Sequence, residues 1–260
     1  MEYQGMKIFI LGLGKVGIQL AKSLTHSPFQ VIGAYNRSEK SFDVPSGLPL
    51  YFDEKEIPVD ADVYLVCVSD DAVKTVADQL PAEIKRSKII AHTSGVHTLE
   101  VFGNDIQKPG VFYPLNTFAE AQEIIWAETP FYLSGSTDDT INTLDNIARK
   151  ISNKVFTISD KQKRALHLSA VFVNNFPTHL FQLADTLLKE NEMEFEHLLP
   201  LIRTMVDNVE SKDIHQILTG PAIRGDQETI NQHLQLLENK SEIKEIYQKI
   251  TKSINKDLTV

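Results

Sequence analysis

The feature that most constrains this chain is a glycine pattern near its start. An apolar run, Met6–Leu11, ends directly at Gly12-Leu13-Gly14-Lys15-Val16-Gly17, and Gly17–Leu24 continues with helical spacing. GxGxxG is a weak signal alone and an informative one between a strand and a helix. In that setting each glycine has a task. Gly12 permits the tight turn, Gly14 lets the backbone approach an anion, and Gly17 lets helix and strand pack closely. The helix N-terminus then presents free N–H groups and the positive end of its dipole. A chain with this opening is expected to build βαβ units. It is also expected to cradle a pyrophosphate, with Gly12, Leu13, Gly14, Lys15, Val16 and Gly17 as the cofactor loop. The plain alternative is a tight glycine turn with no ligand.

The pattern further along agrees. Phe29–Tyr35, Val63–Val68, Lys88–Ala91, Val111–Tyr113, Thr129–Leu133 and Lys154–Ile158 read as strands, with helices over Asp71–Leu80 and Asp138–Ile151. Strands alternating with helices imply a mostly parallel sheet. After about Asp160 the strand signals stop, and helical patterns follow over 160–190, 194–210, 226–238 and 240–255. In the first, Leu166, Ala170, Val173, Phe176, Leu180, Leu183 and Leu187 make a wide apolar stripe. Pro177 interrupts it, so a kink or break is expected there. The fold class is therefore α/β: a mostly parallel sheet over 1–157, followed by an all-α domain over 158–260. A length of 260 residues suits that division.

Composition narrows the partners. Asp and Glu number 35 against 26 Lys and Arg, a formal net charge of -9. Tracking along nucleic acid or an anionic membrane needs clustered cations, so neither partner is expected. The single cysteine, Cys67, excludes intramolecular disulfides and a cysteine-cluster zinc site. No HExxH, Walker A, GxSxG or metal-ligand spacing occurs, and no metal is expected. There is no signal-peptide pattern and no apolar run of about 20 residues. The expectation is a cytoplasmic protein acting on a small-molecule substrate.

The end of the second strand selects the dinucleotide. An NAD site usually places Asp or Glu there for the ribose hydroxyl. This chain has Asn36-Arg37-Ser38. Arg37 can pair with a 2′-phosphate and Ser38 can donate to it, which favours NADP. Val68 and Ser69, at the end of the third strand, are placed to touch ribose. Asp70 and Asp71 read as caps of the next helix, and Cys67 as a buried structural thiol.

Polar residues at the carboxyl ends of parallel strands face the ligand crevice. His92-Thr93-Ser94-Gly95 is such a segment. His92 is a candidate proton donor and Ser94 a candidate substrate ligand, although a helix cap beside a packed histidine fits equally. Asn116 and Thr117, in Tyr113-Pro114-Leu115-Asn116-Thr117-Phe118, are candidates for the same crevice. His167, Asn174 and Thr178 fall near one helical face, with Asn175 to one side. Polar groups in an apolar helix need a polar partner, so His167, Asn174 and Asn175 join the catalytic candidates. Arg224 is a candidate for an anionic substrate group, whereas Asp226 reads as a helix cap.

Taken in order, these motifs resemble a known group. They are the glycine loop, Asn-Arg-Ser, His-Thr-Ser-Gly, Tyr-Pro-Leu-Asn-Thr-Phe, His-Leu-Ser-Ala-Val-Phe-Val-Asn-Asn-Phe and Leu-Thr-Gly-Pro-Ala-Ile-Arg-Gly-Asp. The group is that of proposed NADP oxidoreductases pairing a Rossmann-like domain with a helical domain of unknown function. Its wider relatives include the 6-phosphogluconate and 3-hydroxyacid dehydrogenases, ketopantoate reductase and pyrroline-5-carboxylate reductase. The resemblance implies hydride transfer between nicotinamide and a small carbonyl, hydroxyl or imine carbon. It also implies a homodimer formed through the helical domain. The alternative function is a non-catalytic NADP-binding sensor. One departure stands out. The hydroxyacid dehydrogenases carry Lys four residues before Asn on the first helix of the second domain, and here Ala170 and Val171 occupy those places.

Overall fold

The computed structural model describes residues 5–118 and 124–260. Its first part runs β1 (Lys7–Leu11), α1 (Lys15–Thr25), β2 (Gln30–Tyr35), β3 (Leu50–Tyr51), β4 (Val63–Val66), α2 (Asp70–Gln79), α3 (Ala82–Ser87), β5 (Ile89–His92), β6 (Lys108–Pro114), β7 (Phe131–Gly135), α4 (Asp138–Arg149) and β8 (Val155–Thr157). The strands form one eight-stranded sheet in the order β3-β2-β1-β4-β5-β6-β7-β8. All pairs are parallel except β6 with β7.

The inner strands are apolar throughout because both sheet faces are covered. Successive side chains alternate between the faces. Ile8, Ile10, Val63 and Leu65 enter one core, together with Leu20, Ala21 and Leu24 of α1 and Leu144, Ile147 and Ala148 of α4. Phe9, Leu11, Tyr64 and Val66 enter the other, with Val73 and Ala77 of α2 and Ile84 of α3. The chain winds outward from β1 in both directions. A crevice therefore opens at the carboxyl ends of β1 and β4, where such folds hold their ligands.

Three elements differ from the sequence expectation. β3 has two residues and α3 six, too short for a period to register. The β6–β7 pairing is antiparallel, which apolar runs cannot signal.

The chain divides into two compact units, Met1–Ala170 and Val171–Val260. That division lies beyond the expected 157/158 boundary, because α5 (Asp160–Ala170) sends the Lys163 amine to backbone carbonyls of the first unit. Helical backbone continues through a π-helical segment, Val171–Asn175, into α6 (Phe176–Lys189). Pro177 explains the irregularity. It has no N–H to offer, and its ring crowds the carbonyl four residues back, which a widened turn relieves.

The second unit continues with α7 (Leu199–Ser211), α8 (Pro221–Arg224), α9 (Gln227–Leu236) and α10 (Ser241–Ile254). Its core is small: Ala222, Ile230 and Leu258, with Leu234, Tyr247 and Ile254 against them. Among the described residues no helix is long and apolar enough to cross a membrane.

Candidate functional site

A cleft of about 650 Å³ lies at the carboxyl ends of β1, β2 and β4. Gly12 has φ +101°, and a Cβ there would stand 2.5 Å from Val68 Cγ1 and 2.8 Å from the Cys67 carbonyl oxygen. A Cβ on Gly17 would stand 2.0 Å from the Gly12 carbonyl oxygen. Gly14 takes the N-cap position of α1 in an extended conformation and lines the cleft, where a Cβ would make an ordinary 3.8 Å contact with the Cys67 carbonyl oxygen. The tight turn at Gly12 and the close packing at Gly17 are those the pattern leads one to expect. Leu13 lines the cleft. Lys15 is exposed in the first turn of α1, and Val16 packs against the core below.

Asn36 braces the turn between loop and β2. Its Oδ1 accepts from the Leu13 N–H at 3.1 Å, and its Nδ2 donates to the Ser38 carbonyl at 2.9 Å. Arg37 and Ser38 line the cleft, joined by Lys40, which sequence reasoning missed. Asn36 stands directly after β2 in place of an acid, and Arg37 and Lys40 give this rim two cations, with Asp71 also lining the cleft. Val68 and Ser69 form the wall below. Ser69 itself holds the N-cap position of α2. Asp70 and Asp71 lie in its first turn, where they favour the dipole rather than cap the helix. Cys67 is buried, and desolvation pushes its thiol up to about 12, consistent with a structural role.

A second cluster lies at the carboxyl ends of β5 and β6. His92 is 0% exposed, and its ring lies 5.4 Å from that of Phe102. Its Nε2 is 3.3 Å from the Thr98 carbonyl, while Nδ1 has no partner among the described residues. Burial, seconded by the nearby Lys163 charge, pushes this imidazole down to about 3. His92 is therefore a neutral core histidine, and the proton-donor expectation for it gives way. Ser94 is also buried, and its hydroxyl oxygen accepts from the Val96 and His97 N–H groups at 3.2 and 3.1 Å. It braces the loop, as a capping hydroxyl would.

His167 is half-buried on α5. Its Nδ1 lies 3.2 Å from the Tyr113 hydroxyl of β6. Burial pushes that phenol up to about 12, so it stays protonated. Gly95, in the loop after β5, lies directly against the pair: a Cβ there would stand 2.4 Å from His167 Nδ1 and 3.0 Å from the Tyr113 hydroxyl. His167 Nε2 has no hydrogen-bond partner among the described residues. Beneath the pair lies Lys163, another residue the sequence reading missed. Ala170 stands four residues before Asn174, where the hydroxyacid dehydrogenases carry their lysine; here a lysine stands four before His167.

The other candidates are less engaged. Asn116 donates to Thr129 Oγ1 at 2.8 Å and accepts the Thr117 N–H at 2.7 Å, so it secures its own turn. Asn174 and Asn175 lie exposed in the π-helical segment of the second unit. Arg224 is exposed, 3.9 Å from Asp226. Asp226 caps α9, accepting from the Thr229 N–H at 3.1 Å. Among the described residues no group of three or more His, Cys, Asp or Glu could hold a metal.

The sheet order and the helical C-terminal unit define a Rossmann-like fold followed by an all-α unit. Comparison with known proteins agrees. Residues 129–254 match the model of a domain of unknown function, DUF2520. Among solved structures the chain is similar to a Bacteroides fragilis protein whose name proposes an NADP oxidoreductase. Identity is 29%, the TM-score is 0.86, and 97% of this chain and 99% of that one are covered. A Thermotoga maritima protein has 24% identity and a TM-score of 0.69, over 95% and 96% of the two chains. The NADP-bound pyrroline carboxylate reductase of Plasmodium falciparum has 14% identity and a TM-score of 0.58, over 96% and 98%. No curated protein matches the sequence. The expected resemblance to NADP oxidoreductases with a helical second domain thus holds over nearly the whole chain.

Proposed function

We propose that this chain is an NADP-dependent oxidoreductase acting on a small carbonyl, imine or hydroxyl carbon. The observation that carries the reading is the cradle itself. Gly12 and Gly17 leave no room for a Cβ, Gly14 is open to the cleft, and Arg37, Ser38 and Lys40 rim it without a carboxylate at the end of β2. A pyrophosphate suits the first group and a 2′-phosphate the second. The similarity to the Bacteroides fragilis protein supports the same class. When bound, the cofactor supplies or takes up a hydride at its nicotinamide ring.

The chain's own contribution is orientation and a proton. The hydrogen bond between the Tyr113 hydroxyl and His167 Nδ1 orients the ring and leaves Nε2 facing outward to carry the transferable proton. In its imidazolium form His167 gives the Nε2 proton to the substrate oxygen or nitrogen as the carbon is reduced, and the neutral ring that remains takes it back in the reverse direction. NADPH fluorescence titration of wild type and Arg37→Ala tests the cofactor. A charge-assisted bond to phosphate is worth about 1.5–3 kcal/mol, so the variant should bind NADPH about 10-fold or more weakly and NADH equally well. Equal NADPH affinity would remove the NADP assignment. A panel of carbonyls and imines, followed at the NADPH absorbance, tests the chemistry.

The second unit supports a homodimer. Neither α6 nor α7 has a buried residue. Val173 is 76% and Leu201 68% exposed, and Phe172, Phe176, Met205 and Val209 are exposed beside them on the same two stretches. Each helix thus leaves an apolar stripe uncovered, and helices this short need packing to persist. A second copy offers a matching apolar face in a two-fold arrangement. Light scattering should give twice the chain mass, and Phe176→Glu with Met205→Glu should lower it; a wild-type monomer would refute the dimer.

A further inference from the structure

Lys163 is 1% exposed, and among the described residues it is the only lysine or arginine so deeply buried. Its amine donates to the carbonyls of Gly95 at 2.7 Å and His97 at 2.5 Å. It also lies 5.1 Å from the centre of the Tyr113 ring, within cation–π range. No carboxylate pairs with it among the described residues. An ammonium buried this way is a costly means of holding a helix, since a methionine of similar length would fill the space without desolvating a charge. What the ammonium does achieve is specific. It binds two carbonyls on either side of Val96, in the loop whose Ser94 hydroxyl already holds the Val96 and His97 N–H groups. His97 is held a third time, by its ring Nε2 at the Asp70 carbonyl, 3.0 Å away. One helical turn after Lys163, His167 and its partner Tyr113 press against Gly95 in the same loop.

We propose that Lys163 is a positioning residue. Its ammonium clamps the 94–97 loop onto α5, sets the Tyr113–His167 pair against Gly95, and slackens that pair when it loses its proton. The proposal rests on the proton-donor role given above to His167. The groups facing the amine come from every element around it. Asp160 of α5 and Asp70 of α2 favour the charged form. Arg164 of α5, itself paired with Glu100, opposes it. His92 and His97 stand on the loop side, and Tyr113 of β6 remains protonated. Burial outweighs the two carboxylates and draws the ammonium down to about 8. Below that pH the clamp has charge-assisted bonds. Above it the neutral amine keeps weaker donors and loses the cation–π contact.

The test is amide hydrogen exchange of residues 94–98 in the full-length wild type from pH 6 to 10, corrected for intrinsic rates, beside the pH dependence of the Lys163 13Cε shift. Protection should hold to about pH 7.5 and then fall, in step with the lysine shift, approaching about tenfold per unit beyond pH 8. Lys163→Met should show low, pH-independent protection of this loop while the sheet amides stay protected. Wild-type protection that is flat to pH 10 would overturn the proposal, as would a Met variant matching wild type at pH 7. If the variant does not fold, the wild-type series decides alone. With any substrate that turns over, kcat/KM should lose activity along the same alkaline limb, and that limb should vanish in Lys163→Met. A titrating loop in a protein that neither binds NADPH nor reduces any panel substrate would leave the clamp standing and remove the functional reading instead.

Discussion

Gly17→Ala is the sharpest probe of the cradle, because two rules oppose each other there. Inside a helix, alanine is ordinarily about 1 kcal/mol better than glycine. At Gly17, in the first turn of α1, the new Cβ would stand 2.0 Å from the Gly12 carbonyl oxygen, 3.1 Å from its carbon and 3.2 Å from Cys67 Cβ. Real Cβ atoms stay beyond 3.0 Å of such neighbours, so about 1 Å must be found. The oxygen cannot turn aside, since Gly12 is fixed by its own N–H bond to the Tyr35 carbonyl at 2.7 Å. The start of α1 must therefore lift from β1. Overpacking of this kind costs about 1–3 kcal/mol, which exceeds the propensity gain. The expected net is about 1 kcal/mol of destabilisation, or about 2–4 °C in Tm for a chain this long. The larger effect should fall on the ligand, because the lifted turn carries the N–H groups that face the cleft: NADPH affinity should drop by an order of magnitude or more. Differential scanning calorimetry and NADPH fluorescence titration measure the two effects. An alanine variant as stable as wild type, with unchanged NADPH affinity, would refute the claim that close packing at Gly17 shapes the site.

Three further substitutions separate the histidines. His167→Ala should lower turnover about 10²–10⁴-fold with NADPH affinity unchanged, and Tyr113→Phe should cost less, since it removes only the group orienting the ring; steady-state kinetics beside cofactor titration check both. His92 acts on stability. Its folded pKa of about 3 lies below its ordinary 6.5, so its full contribution is present above pH 6.5 and is lost progressively as pH falls toward 3. At pH 5 that loss is about 2 kcal/mol, and His92→Phe should remove this increment from the pH dependence of the urea midpoint; parallel wild-type and variant curves between pH 7 and 5 would show otherwise.

The cradle was legible because its signals are local. Strand, glycines and helix start are contiguous, and the sterics that require glycine act over a few residues. The second cluster was not, because its members meet over long sequence separations. Lys163 reaches carbonyls 66 and 68 positions away, and Tyr113 meets His167 across 54. His92 did carry a readable signal. Alternation along β5 gives it the parity of Ile90, which enters the core beneath α2, and the parity opposite to Ala91. A histidine in register with the buried Val66 continues that inward row, so it ends in the core beside Phe102.

No lysine takes the place of the dehydrogenase lysine: Ala170 and Val171 stand four residues before Asn174 and Asn175, and Lys163 stands eleven before Asn174. Placing residues of α5 and α6 on one face assumes unbroken α-helical phase between them. Here Val171–Asn175 is π-helical, and its wider turns change the count between α5 and α6. Grouping His167, Asn174 and Thr178 on one face relies on the same assumption and does not survive it. Within α5 the phase is regular, so the informative spacing is Lys163 to His167, four residues and one turn, with Tyr113 touching both. That spacing assigns the two residues different tasks. The amine is turned inward onto carbonyls and holds the loop. The imidazole stands at the edge of the same loop with one nitrogen oriented by Tyr113 and the other uncommitted, which is the arrangement a proton donor needs.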